Sequence, residues 1–150
     1  MKQHFIGTKI IIAEPMTRAE YNNYRGWQLP ANECGDDKGY LVEYLDGGQA
    51  NHPDHAGYIS WSPDAVFNGA YIPMGDVSHL APHQQRVVAE CAELDHRLEK
   101  LIEFMKCETF GRLDTDEQNR LSAQGAAMQD YSACLAERIA EFPPAPVANS

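Results

Sequence analysis

Three groups of side chains carry the chemistry legible in this chain. The densest is Arg18, Tyr21, Asn22, Asn23, Tyr24, Arg25, Gly26 and Trp27. Tyr and Trp rings beside a guanidinium can stack on a planar heterocycle while the guanidinium grips a phosphate through paired hydrogen bonds. The same residues also read as core anchors of a small domain, with Arg25 paired to one of the chain's many carboxylates. The second group is Gly57-Tyr58-Ile59-Ser60-Trp61-Ser62-Pro63. Strand alternation sends Tyr58, Ser60 and Ser62 to one face and Ile59 and Trp61 to the other, and a helix with Pro63 at its first position would offer free N–H groups to an anion. An ordinary strand-to-helix junction accounts for this stretch equally well. The third group is His52, Asp54 and His55, near Asp46. These are metal-ligand types, but no third ligand stands at helical or strand spacing, so a flexible polar surface loop is expected there. The expected ligand contacts are therefore Tyr24, Arg25, Trp27, Tyr58 and Trp61, with Lys9 or Arg18 neutralising a phosphate.

A catalytic set is missing from this reading. Ser60 and Ser62 lack a G-x-S-x-G context, and no P-loop, H-E-x-x-H or dinucleotide glycine motif occurs. Cys34 precedes Gly35-Asp36-Asp37 without an evident histidine partner. The expectation is binding rather than catalysis, with no cofactor and no metal.

The elements that must position these side chains change character near residue 76. Both Trp, six of the seven Tyr and nine of the eleven Gly precede that point. The net charge is −10, and both halves are acidic. A phosphate backbone requires a cationic footprint, so DNA and RNA are poor candidates for partners. Cys34, Cys91, Cys107 and Cys134 form no C-x-x-C pair, which suits a reducing cytosol. No apolar run approaches the roughly 20 residues of a membrane span, and Met1-Lys2-Gln3-His4-Phe5 does not read as a signal peptide.

Residues 5–13 are β-branched and predict a buried strand ended by Pro15. Thr17 and Glu20 form a capping box for a short helix that runs through Tyr24 and stops at Gly26. Residues 39–45 predict a second strand, with Tyr40, Val42 and Tyr44 on one face and Leu41, Glu43 and Leu45 on the other. Residues 57–61 predict a third strand, paired with the second. A helix over about 63–70 would bury Val66, Phe67 and Ala70. Beyond Pro82, Val87, Cys91, Leu94, Leu98, Leu101 and Met105 recur at spacings of four and three, with Val88 and Ile102 beside that seam. A turn over residues 109–114 leads to a helix capped by Thr115 with Gln118. Leu121, Met128, Tyr131, Leu135, Ile139 and Phe142 supply its stripe, and Gln124 interrupts the seam. Pro143-Pro144-Ala145-Pro146 stops the helix.

Several of these strings resemble known families. Gly7-Thr8-Lys9-Ile10, Pro15-Met16-Thr17-Arg18, Tyr24-Arg25-Gly26-Trp27, Gly39-Tyr40-Leu41-Val42-Glu43-Tyr44, Asp46-Gly47-Gly48, Asn51-His52-Pro53 and Gly57-Tyr58-Ile59-Ser60-Trp61-Ser62-Pro63 resemble a small module of tailed-phage and prophage accessory proteins. That module is often joined to other small domains, some of them similar to anti-Thoeris sponge domains, which sequester a nucleotide immune signal. Leu98-Glu99-Lys100-Leu101-Ile102, Phe110, Leu113, Gln124, Met128, Tyr131, Leu135, Arg138 and Ile139 are similar to a helical-hairpin family of crAss-like and other phages. The resemblance implies phage origin and host interaction rather than a particular activity.

The resulting expectation is an α+β protein: a small antiparallel β head with short helices over 1–75, a long antiparallel helical hairpin over 76–142, and a disordered tail over 143–150. The expected function is a phage counter-defence protein in the host cytoplasm. It would bind and sequester a signalling nucleotide of the cyclic nucleotide or cyclic ADP-ribose type and form homo-oligomers through the hairpin. The alternative is a phage protein that directly inhibits a host defence enzyme through its acidic surface.

Overall fold

The central element is a strand whose two faces are both covered. The computed structural model describes residues 1–147 and divides into two units, one ending at Tyr71 and one starting at Ile72. Residues 148–150 of the expected tail lie outside the described residues.

In the first unit, β1 (Ile11–Pro15), β2 (Gly39–Tyr44) and β3 (Tyr58–Pro63) form an antiparallel sheet in the order β1-β2-β3. The register pairs Ala13 with Val42, and Val42 in turn with Ser60. Alternation gives the sheet two chemically distinct faces. On one, Tyr21 of α1 (Arg18–Arg25) packs with Leu41 and Ile59, flanked by Met16 and Trp61. On the other, Tyr40 stacks on Phe67 of α2 (Asp64–Ala70), with centroids 3.9 Å apart. Gly39 is required where β2 passes β3, because a Cβ there would run into the Trp61 indole and the Ser62 carbonyl.

The first strand is shorter than the β-branched run suggests. Residues 5–9 are exposed and the ladder begins at Ile11. β2 ends at Tyr44, the partner of Ile11, and the chain turns away at Gly47, so β2 offers no pairing to the residues upstream of Ile11. The capping box forms as expected: Thr17 and Glu20 exchange hydrogen bonds at 2.8 and 3.2 Å, and Gly26 closes α1 in the left-handed region at φ 71°. The expected start of α2 at Pro63 is corrected. Pro63 still pairs with Gly39 in the sheet and serves as the N-cap, so the helix starts at Asp64. Val66 is 64% exposed, which leaves Phe67 to carry the packing.

In the second unit, α3 (Pro82–Met105) and α5 (Thr115–Ala140) pack antiparallel, with the one-turn α4 (Glu108–Gly111) between them. Val87, Leu94 and Leu135 form the core, with Cys91, Met128, Ile139 and Phe142 around it. The position next to the expected interruption takes the contact. Gly125 is buried against Leu101 and Met105, while Gln124 is exposed. Tyr131 is 45% exposed and leaves the stripe, its hydroxyl donating to Glu90. The cap of α5 also falls one residue earlier than expected. Asp114 accepts the Glu117 N–H at 2.7 Å, and Gln118 instead donates to the carbonyls of Phe110, Gly111 and Leu113.

Candidate functional site

Helical spacing places Arg18, Tyr21 and Arg25 at i, i+3 and i+7, on one face of α1. The Arg18 guanidinium lies 4.3 Å from the Trp61 ring centroid and pairs with Glu33 at 3.1 Å. The Trp61 indole N–H donates to the Met16 carbonyl at 2.7 Å, which fixes the ring as a platform. Two turns along, the Arg25 guanidinium lies 4.3 Å from the Trp27 ring centroid and donates to the Tyr21 hydroxyl at 3.1 Å. Trp27 meets Tyr21 edge-on and is itself 53% exposed.

Tyr24 belongs to a neighbouring cluster that spacing did not reveal. Its ring stacks on His52 at 4.5 Å, and its hydroxyl lies 2.7 Å from His55 Nε2. His55 Nδ1 lies 2.6 Å from Glu43 Oε1, and the second Glu43 oxygen accepts the Gly57 N–H at 3.0 Å. Glu43 is buried, and the His55 hydrogen bond, aided by Gly57 and opposed by burial, holds its carboxyl below the ordinary glutamate value. The loop is therefore an organised structure rather than a flexible one. Asn51 adds to this order by exchanging two hydrogen bonds with the Ile59 backbone at 2.8 and 2.9 Å. No group of three or more His, Cys, Asp or Glu side chains able to hold a metal occurs among the described residues.

The expected contact set is thus divided. Arg18, Tyr24, Arg25, Trp27 and Trp61 share the α1 side of the sheet. Tyr58 points to the other face, beside Tyr44, and Lys9 lies over Tyr44 while pairing with Asp46 at 3.6 Å. Of the three cations expected to meet phosphate, Lys9 and Arg18 are occupied by carboxylates, while Arg25 has no carboxylate partner among the described residues. Sequence reasoning missed Glu43 and left His52 and His55 in a surface loop, without their partners Tyr24 and Glu43. The available signal was Glu43 itself, an acid between two leucines on one strand face, which demands a buried partner.

The second unit has polar groups across the α3–α5 seam. Ser132 donates to Asp95 at 2.5 Å, and Asp95 also receives the Cys91 thiol at 3.6 Å. Burial, with Asp95 next, pushes that thiol's pKa up, away from nucleophile chemistry. A depression of about 370 Å³ is lined by Val77, Leu80, Val88, Ile139 and Phe142, with His79. The Nδ1 of His79 is buried there without a hydrogen-bond partner among the described residues.

Fold and site together describe a small α+β unit bearing an aromatic and arginine-rich face, followed by a helical unit. Residues 81–141 match the family model described as Sequestin. That stretch runs from the N-cap of α3 to the C-cap of α5. All seven expected contact residues lie outside it. No curated protein matches the chain, and no solved structure matches it. No helix among the described residues is long and apolar enough to cross a membrane.

Proposed function

We propose that this protein binds and sequesters a small signalling nucleotide of the cyclic nucleotide or cyclic ADP-ribose type, without turning it over. On this reading it is a phage counter-defence protein acting in the host cytoplasm, assembled as a homo-oligomer. The observation that carries the reading is the match of residues 81–141 to the Sequestin model, whose name denotes sequestration. The aromatic face of α1 supports it, since Arg25 is stacked on exposed Trp27 and has no carboxylate partner among the described residues. A stacked guanidinium with free N–H groups is suited to a phosphate attached to a planar ring.

The test is native mass spectrometry of the full chain purified from cells that make such signals, followed by denaturation. The expected result is a retained nucleotide mass, released chemically intact. Protein that is ligand-free and unresponsive to a panel of cyclic dinucleotides and cyclic ADP-ribose would overturn the reading and direct the search to a host protein. Two single variants locate the ligand. Charge-assisted hydrogen bonds are worth about 1.5–3 kcal/mol, so Arg25→Ala should weaken binding by about 10- to 150-fold. If Arg25→Ala binds normally and His79→Ala does not, the ligand occupies the depression of the second unit instead.

A further inference from the structure

Glu43, His55 and Tyr24 form a linear chain of hydrogen bonds from the buried face of β2 to a hydroxyl at the surface. Glu43 Oε1 lies 2.6 Å from His55 Nδ1, and His55 Nε2 lies 2.7 Å from the Tyr24 oxygen. An ionised carboxylate can only accept, so the proton between Glu43 and His55 sits on Nδ1. In the neutral ring Nε2 is then an acceptor, and the Tyr24 hydroxyl must donate inward to it. The remaining lone pair of the Tyr24 oxygen faces outward as an acceptor. When His55 gains a proton, Nε2 becomes a donor and the Tyr24 proton must rotate away from it. The outward character of the hydroxyl is then reversed.

We propose that Tyr24 is a ligand-contacting residue whose hydrogen-bond polarity is set by the protonation of His55, with His55 and Glu43 as positioning residues. The proposal rests on the reading that the α1 side of the sheet receives the ligand, and it adds the regulation of that site. With neutral His55, Tyr24 accepts from an amine or hydroxyl of the ligand. With protonated His55, it donates to an acceptor such as a phosphate or carbonyl oxygen. The groups that face this chain are Glu14 from β1, Glu43 from β2, and His52 and Asp54 from the 51–57 loop. Burial first, then Asp54, Glu14 and Glu43, raise the Tyr24 pKa, so the phenol stays protonated in both states and serves as a hydrogen-bonding group rather than a nucleophile.

The relay is tested by acidifying the full chain until the His55 ring is protonated. NMR of protein labelled at histidine nitrogen and tyrosine carbon should show the neutral His55 ring as the Nδ1–H tautomer. On acidification, the Tyr24 Cζ resonance should shift in step with His55. Glu43→Gln should disturb both signals, and Tyr24→Phe should leave the His52 stack in place. An Nε2–H tautomer, or a Tyr24 resonance that ignores His55, would overturn the relay.

With cyclic ADP-ribose as the probe, one hydrogen bond of about 0.5–1.5 kcal/mol corresponds to a change of about 2- to 12-fold in Kd between the pH at which NMR shows the His55 ring neutral and the pH at which it shows it protonated. That change should vanish in Tyr24→Phe. Binding that is equal at both pH values and unaltered by Tyr24→Phe would overturn the contact. An absence of binding at either pH would count against the nucleotide ligand and the Tyr24 contact together, while the tautomer and the coupled titration would still decide the relay.

Discussion

Replacing Glu43 by Gln should destabilise the first unit in a pH-dependent way. The carboxylate accepts from His55 at 2.6 Å and from Gly57 at 3.0 Å within a buried setting. Glutamine keeps the shape but has one acceptor oxygen and one NH2 group. If its oxygen serves His55, the NH2 faces the Gly57 N–H, and two donors are left opposed. A buried donor without an acceptor costs about 1–3 kcal/mol. For a unit of this size, each kcal/mol shifts Tm by about 4–8 °C, so the loss should be roughly 4–24 °C at neutral pH. The pKa of Glu43 is lowered in the folded state. Its stabilising contribution is therefore complete above the pKa of an unfolded glutamate and is lost as pH falls through the depressed folded value. The variant has no such group, so the gap between the two proteins should shrink as pH drops through that window. Trp27 and Trp61, the only tryptophans, both lie in the first unit. Intrinsic fluorescence therefore reports that unit selectively during thermal unfolding. Equal midpoints at pH 7, or a gap that stays constant down to pH 3, would refute the reasoning.

Two further outcomes concern the helical unit. Leu135 is 1% exposed at the centre of the α3–α5 core, so Leu135→Ala should cost about 2–5 kcal/mol, read as an earlier loss of helical circular dichroism. Gly125→Ala should raise the stability of the same transition by about 0.5–1 kcal/mol through helix propensity. An added Cβ there meets only the end of Met105 at 3.4 Å and Leu101 at 3.8 Å, both ordinary contacts. A lower midpoint for Gly125→Ala would show that the close approach at Gly125 is required. Chemical denaturation of the full chain measures both changes.

Local patterns were legible in the sequence wherever a single element decides the outcome. Thr17 and Glu20 closed their box because both partners lie within one turn, and Gly26 ended α1 because an achiral residue tolerates positive φ. The seam of Val87, Leu94 and Leu98 was readable because helical period alone selects a face. Sequence also determined the acidity that argues against nucleic acid, and the placing of both tryptophans in the first unit.

Tertiary structure decided what depends on the end of a neighbouring strand or on residues distant in sequence. Residues 5–9 have the composition of a strand, yet β2 ends before it can pair with them, and a strand without a partner cannot satisfy its backbone. The expected contact set divided because side chains on adjacent positions of β3 face opposite sides of the sheet, which puts Tyr58 apart from Trp61. Glu43 and His55 are 12 residues apart, and Tyr24 and His55 are 31 apart, so no local spacing links them. Chain connectivity brings the three together only when β2 carries Glu43 beneath a loop pinned by Asn51. Burial of that carboxylate then makes its histidine partner obligatory.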